Sequence, residues 1–351
     1  MTTQVATEEH AEVVRQPTID DVVRLAGVGK GTVSRVLNGS ANVSDVTRAR
    51  VRQAIEQLNF RPSVLARRLS QGTSVRQIGV LESFITSPSF TDRLRGIQEV
   101  IEGTTDFELL LYSCGSPERY SRRLESIIEQ RSVAGLLIVD LILSDEQARQ
   151  LSAADIAVVF VSTEHRAWPY VGPDDVRGGY LATRHLIELG HRRIGYVGDA
   201  FPDPFGFTTG RDRFQGYADA LAEAGLEVDD RWVGLGKHGK SEASDLARRI
   251  LAEAEPPTAI FAMSDIQALG CMAAAQGMGA NVPGDVSIIG FDDIEVSGVV
   301  GLTTVRQHLT DSGRIAARYL LSRVRGERQP SIGVLPPLEV VERRTTAAPK
   351  A

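Results

Sequence analysis

The sequence predicts an α-helical helix-turn-helix headpiece followed by an α/β core of two doubly wound parallel-sheet lobes, and three observations predict it. Residues 17–58 carry three short runs with apolar residues at helical spacing. From Gln77 onward, seven short apolar runs alternate with amphipathic helical stretches. Charge divides at the same place. Pro17–Arg76 holds ten Lys/Arg against four acids, a net of +6 in a chain of net -6. The first 16 residues contribute -2, which leaves -10 to residues 77–351. A basic module joined to an acidic one points to a polyanion for the first and a different partner for the second.

At 351 residues the chain exceeds what one hydrophobic core organises, so two or three domains are expected. Cys114 and Cys271 offer no zinc spacing, disulfide framework or redox motif, which fits a reducing cytosol. The opening "MTTQVATEEHAEVVRQ" lacks the apolar stretch of a secretory signal and reads as a disordered extension over 1–16. No apolar run approaches the roughly 18 residues of a membrane span. A cytoplasmic protein without membrane partners is expected.

In "PTIDDVVRLAG", Ile19, Val22, Val23 and Ala26 share one helix face, with Thr18 and Asp21 placed as a capping box. Gly27 stops this helix, Val28 packs in the turn, and a second helix starts at Gly29 or Lys30 with Val33, Val36 and Leu37 inward. Asn38 and Gly39 end it. A third helix begins at the N-cap Ser44 and faces Val51, Ala54, Ile55 and Leu58 inward. "GVGKGTVS" is not a nucleotide loop: Lys30 is followed by Gly31 rather than Ser or Thr, and a helix rather than a strand leads into it. Three helices with a tight first turn form a headpiece over 17–61, whose second helix offers Lys30, Thr32, Ser34 and Arg35 to a groove.

Residues 62–76 read as a hinge: Pro62 opens a helix of two turns over 63–70, marginal alone in water, before the polar linker Gln71–Ser74. Beyond it the strands are "QIGVLE", "FELLLYS", "AGLLIV", "IAVVFV", "RIGYVG", "TAIFAM" and "VSIIGF". Helices are expected over 90–103, 117–131, 175–190, 209–225, 241–254, 265–278 and 310–325. Ligands of open α/β lobes bind outside the carboxyl ends of strands. Four such places carry polar or aromatic groups: "ITSPSF", "DAFPDPFGFTTGRDRF", "MSD" and "FDD".

"TVSRVLN", "NVS", "LNFRP" and "LARRL", in this order and spacing, make the chain resemble the lactose-repressor (LacI/GalR) family of bacterial transcription regulators. The resemblance implies a periplasmic-binding-protein-like core over 77–347, crossed three times, near 175, 305 and 335. The N-lobe would take 77–174 and 306–334, the C-lobe 175–305 and 335–347. It implies Lys30, Gly31, Thr32 and Arg35 at base edges, and Thr18, Ser34, Asn38 and Asn42 on phosphates or sugars, with Thr32 able to do the same. Leu69 would wedge between base pairs in the minor groove, its hinge helix paired with that of a second subunit. One departure stands out: Gly29 occupies a position where the family usually has Ser, and Gly31 has no side chain to read a base.

In the core the resemblance implies Phe90 as a stacking platform, Arg213 and Asp292 as a forked pair gripping ligand hydroxyls, Asp265 as a further acceptor and His238 at a position usually aromatic. Arg211 and Arg213 lie two apart at a helix start and point differently, and Arg213 is the one assigned to the cleft. Asp265 and Asp292 have an alternative as helix caps, Phe90 as a buried core ring and His238 as a solvated loop residue. A guanidinium beside a carboxylate suits vicinal hydroxyls, so a sugar or sugar derivative is the expected effector.

Nothing marks an enzyme. The histidines at 10, 165, 185, 191, 238 and 308 follow no metal spacing, there is no G-x-S-x-G elbow, and no dinucleotide glycine pattern follows the first strand. No cofactor or metal is expected. The expected protein is a ligand-responsive repressor that binds a pseudo-palindromic duplex operator as a homodimer, its affinity set by a small molecule. The alternatives are a sugar-binding protein without gene control and a Rossmann-type oxidoreductase. The tail "TTAAPKA" has no heptads for a higher oligomer.

Overall fold

The computed structural model describes residues 17–37, 42–58, 75–166, 168–327 and 335–350. It divides into two units at Val75 and Arg76. The extension 1–16, Asn38, the hinge helix expected at 63–70 and its Leu69 lie outside the described residues.

In the first unit, α1 (Ile19–Ala26), α2 (Lys30–Leu37) and α3 (Asp45–Gln57) surround one small core. The Asp21 carboxylate accepts from the Thr18 N–H at 2.8 Å and the Thr18 hydroxyl at 2.7 Å, which fixes where α1 starts. Gly27 ends α1 at φ 59°, a left-handed conformation that costs glycine little. Val22, Ala26, Val33, Val36, Val51 and Ala54 fill the centre, two from each helix. Their spacing of three or four residues places each pair on one face.

The second unit contains two sheets. The first, ordered β2-β1-β3-β4-β5, joins β1 (Arg76–Glu82), β2 (Phe107–Ser113), β3 (Gly135–Val139), β4 (Ala157–Val161) and β5 (Tyr170–Val171), all parallel. Alternate strand residues serve opposite faces. Leu137, Val139, Val159 and Val161 pack under α4 (Pro88–Glu102) and α12 (Leu309–Val324), while Leu136, Ile138, Val158 and Phe160 pack under α5 (Pro117–Gln130) and α6 (Asp145–Ala153).

The second sheet is ordered β11-β10-β9-β8-β6-β7, from β6 (Ile194–Asp199), β7 (Val233–Gly236), β8 (Ala259–Ala262), β9 (Ser287–Asp292), β10 (Thr303–Arg306) and β11 (Glu339–Val341). Its strands are parallel except β11, which runs antiparallel to β10. The helices α7 (Asp175–Glu188) and α8 (Thr209–Glu223) cover one face, α9 (Lys240–Leu251) and α10 (Asp265–Gly277) the other, and the short α11 (Glu295–Val300) precedes β10. The chain leaves the first sheet after Val171, returns to it after Arg306, and rejoins the second at Glu339.

The expected helices appear with ends moved by at most three residues. Among the described residues, six strands and α-helices are additional to the sequence reading, β5, β7, β10, β11, α6 and α11, besides a 3-10 turn at Asp230–Trp232. They are short, or, like α6 with only Leu151 buried, too polar to show a period.

Helix pairs in both lobes approach unusually closely through glycine. A Cβ on Gly313 of α12 would stand 2.0 Å from the Arg93 carbonyl oxygen of α4, and one on Gly96 1.9 Å from the Thr310 oxygen. In the other lobe, a Cβ on Gly179 of α7 would stand 2.1 Å from the Arg213 oxygen of α8, and one on Gly216 1.9 Å from the Val176 oxygen.

Candidate functional site

On the headpiece, Lys30, Gly31 and Arg35 are exposed on α2, with Thr32 and Ser34 half-buried between them and Asn42 exposed beyond. Lys30 Nζ lies 3.1 Å from Asp20 Oδ1, and both side chains are 64% exposed, so the pair is weak and open to exchange for a phosphate or base edge. Thr18 has its hydroxyl committed to Asp21. A basic helix N-terminus with short side chains around it suits a polyanionic groove.

Between the two sheets lies a cleft of about 740 Å³. That falls in the upper part of the roughly 300–1,000 Å³ of small-molecule sites. Much of its polar lining comes from the carboxyl ends of strands in both lobes: Glu82 at the end of β1, Asp140 after β3, Ser162 after β4, Asp199 at β6, His238 after β7, Ser264 after β8 and Asp292 at β9. A parallel sheet delivers all these ends to one edge, which is why residues far apart in sequence meet here.

Two arginines organise the charges. Arg213, 5% exposed, donates from Nε to Asp175 at 2.8 Å and from its amino group to the Met263 carbonyl at 2.6 Å. The same amino group stands 3.7 Å from Asp292, and the guanidinium lies 3.6 Å over the Phe291 ring. Arg93, on α4, donates to Asp140 at 3.3 Å and to the Gln307 amide oxygen at 3.1 Å. Gln307 in turn donates to Asp292, so one amide on the segment between the lobes links the two walls.

Burial pushes the Asp292 carboxyl up, against the attraction of Arg213 and Arg93. Its backbone, at φ 125°, sits where side chains other than glycine are strained, and Asp293 follows at φ 58°. Such a turn costs on the order of 1–3 kcal/mol and persists only if held. Here Arg306 and Arg343 clasp the Asp293 carboxylate at 2.7 and 2.6 Å.

Burial also pushes Glu82 up to about 8, reinforced by the Asp140 charge and opposed by the Phe84 N–H and Arg93. Partial burial works to lower the His238 imidazole, yet the hydrogen bond and charge of Asp199, 3.1 Å away, raise it above the ordinary value. Aromatic rings also line the cleft. Phe205 and Phe207 stack with centroids 5.6 Å apart, and Phe84 meets Phe205 edge-on at 5.9 Å. Phe90 lines the same cleft while 1% exposed, its ring being also part of the first lobe's core.

Four of the five residues assigned to an effector from the sequence, Phe90, Arg213, His238 and Asp292, therefore line one cavity. Arg211 is exposed on the opposite course of the helix start, paired with Asp212 at 2.8 Å. Asp265 requires correction, because it is not among the lining residues and is fully buried inside the second lobe. Its carboxylate accepts from the Ile294 N–H at 3.0 Å, the Ser297 hydroxyl at 2.6 Å and the Thr304 hydroxyl, tying α10 to α11 and β10. Of "MSD", Met263 and Ser264 reach the cleft instead.

Glu82, Arg93, Asp140, Asp175 and Gln307 escaped the sequence reading, and Asp199 entered it only as the first residue of "DAFPDPFGFTTGRDRF". Three of them had a usable signal, an acid directly ending a buried apolar run, in "GVLE", "LLIVD" and "GYVGD". His191, given no chemistry, is buried and holds the tail: its ring nitrogens bond Thr258 Oγ1 at 2.8 Å and the Ala347 carbonyl at 2.9 Å. Among the described residues no cluster of His, Cys, Asp or Glu could hold a metal ion, and no helix is long and apolar enough to cross a membrane.

Residues 18–63 match the profile of bacterial regulatory proteins of the lacI family, and residues 183–346 that of the periplasmic binding protein-like domain. The HTH-type transcriptional regulator GalR of Escherichia coli (strain K12) is 32% identical over 339 residues, covering 95% of this chain and 96% of its own. The transcriptional regulator CelR, solved in complex with cellobiose, is 30% identical with a TM-score of 0.68, covering 94% of this chain and 99% of its own. The lac repressor dimer, solved bound to operator and an anti-inducer, is 27% identical with a TM-score of 0.71, covering 95% and 100%. Matching a DNA-binding helix-turn-helix headpiece and a two-lobed ligand-binding core along nearly the whole length, the chain belongs to the lacI family of bacterial transcription regulators.

Proposed function

We propose that the protein is a repressor that binds a pseudo-palindromic operator as a homodimer, with a sugar or sugar derivative in the interlobe cleft setting its affinity. The observation that carries this reading is the pairing of Arg213 with Asp292 in a cavity walled by phenylalanines. Paired donors beside paired acceptors grip vicinal hydroxyls, and aromatic faces cover the apolar side of a sugar ring. Phe90 and His238 complete the grip. The relatives add support: CelR was solved with cellobiose, and the lac repressor as an operator-bound dimer.

On the DNA side, Lys30, Gly31, Thr32 and Arg35 read bases, and Thr18, Ser34, Asn38 and Asn42 hold the backbone. Leu69 wedges the minor groove at the centre of the operator. Two-fold protein symmetry requires two-fold sites. The effector shifts operator affinity only through its differential affinity for two arrangements of the lobes.

Selection of duplexes from a random pool by the full chain, followed by fluorescence anisotropy with and without sugars, tests the reading. The expected product is an inverted repeat whose affinity changes when a sugar is added. Enrichment of no duplex overturns the regulator assignment. An enriched duplex indifferent to every sugar overturns the effector class.

A further inference from the structure

Among the described residues, five buried side-chain nitrogen or oxygen atoms have no hydrogen-bond partner: Glu82 Oε2, Arg93 Nε, Ser162 Oγ, Tyr120 Oη and Ser322 Oγ. Buried polar groups are almost always satisfied, so exceptions call for a cause. The first three belong to residues that line the cleft, and all three sit on its first-lobe wall, at the end of β1, on α4 and after β4. Glu82 is 2% and Arg93 4% exposed. Ser162 is held at φ 66° and the neighbouring Asp140 at φ 49°, left-handed conformations that non-glycine residues keep only where the surroundings enforce them. On the facing wall, by contrast, Arg213, His238 and Asp292 already have partners.

We infer that Glu82, Arg93 and Ser162 form a second polar subsite of the cleft, which takes the hydroxyls of a neutral saccharide of two or more rings whose other end lies against Arg213 and Asp292. This rests on the saccharide reading above and narrows it. A hydroxyl both accepts and donates, so adjacent hydroxyls can accept from Arg93 Nε and bond Glu82 and Ser162 in either direction. A phosphate or carboxylate in this subsite would meet Asp140 and Asp292, while both arginines are already ion-paired with Asp140 and Asp175 and the lining cation Lys237 stands on the facing wall. Burial that holds Glu82 largely uncharged near neutral pH suits a neutral ligand too. The volume of about 740 Å³ leaves room beyond one sugar ring, with the Phe205 and Phe207 stack available to cover a ring face.

Calorimetric titration of the full chain with cellobiose, maltose, lactose and sucrose, with glucose, galactose and fructose, and with glucose 6-phosphate tests the inference. A neutral disaccharide is expected to bind at least tenfold more tightly than any monosaccharide or the sugar phosphate. Glu82→Met removes both oxygens at similar volume, and Ser162→Gly removes the hydroxyl while fitting the positive φ. Each is expected to cut the disaccharide preference at least fivefold, and Glu82→Gln to restore most of it. Cooperative melting shows which variants are folded, and Ser162→Gly decides alone if Glu82→Met is not. Tightest binding by a monosaccharide or by glucose 6-phosphate overturns the subsite and leaves the saccharide cleft standing, as does a preference unmoved in a folded variant. Absence of binding by every sugar overturns the saccharide reading and this inference with it.

Discussion

Gly313→Ala sets two effects of opposite sign against each other. Inside a helix, alanine in place of glycine adds about 1 kcal/mol of stability. The new Cβ, however, would lie 2.0 Å from the Arg93 carbonyl oxygen, a backbone atom that cannot rotate aside. Carbon to carbonyl-oxygen contacts settle near ~3.3 Å, so α12 and α4 must part by roughly 1.3 Å. Overpacking a core ordinarily costs about 1–3 kcal/mol, and a backbone clash falls at the upper end. The net expectation is a loss of about 2 kcal/mol or more, several degrees of Tm for a domain of this size. Gly277→Ala is the matched control: it ends α10 with nothing within 4 Å of a new Cβ and should gain stability. Urea unfolding of the two variants beside wild type measures both signs. If Gly313→Ala matches or exceeds wild type, the glycine contact does not set the helix spacing. Since the displaced atom belongs to Arg93, sugar affinity should fall with stability, and Gly179→Ala should act in the same way on Arg213.

Asp292→Asn, chosen because asparagine tolerates a positive φ, should weaken effector binding by about 2–5 kcal/mol, as loss of one member of a buried charge pair does. Titration calorimetry reads it, and undiminished affinity would place the ligand elsewhere. Operator affinity should fall steeply and linearly on a plot of log affinity against log salt, through release of counterions from phosphates held by the headpiece. A flat plot would remove the +6 charge of Pro17–Arg76 from the account. Glu82 has a folded-state pKa raised to about 8, so the folded protein holds this proton more tightly than the unfolded chain. The stability this supplies is complete below the usual glutamate value and disappears as pH climbs through about 8. Urea midpoints should therefore drop between pH 5 and pH 9 (about those limits), and Glu82→Gln should remove part of the drop. Parallel curves would mean that the carboxyl is charged throughout.

What could be read in the chain was what burial imprints on composition. "GLLIV" and "AVVFV" lie under helices on both faces and are apolar at every position, whereas "VGLG" and "TTVR" owe their place to partners rather than to their own pattern. The headpiece was legible almost to the residue because Thr18, Asp21, Gly27 and Ser44 are local signals, each acting on backbone within a few positions. The cleft was not. Glu82, Asp140 and Gln307 gain their meaning from Arg93 and Asp292, which the fold brings near across long stretches of chain. Asp265 shows the opposite failure: one step past Ser264, the helix turns its side chain from the ligand edge to Thr304 and Ser297.

Gln307 sits on one of the strands of chain about which the lobes would swing, and it grips a residue of each. A ligand that drew Arg93 or Asp292 toward itself would thus compete with an axle rather than with one jaw. Loosening either bond would break the bridge between the lobes, so occupancy would register as a change in rotational stiffness before any large displacement. Gln307→Leu would remove this tether while leaving each lobe folded and the Phe84–Phe205 and Arg95–Glu295 contacts between them in place.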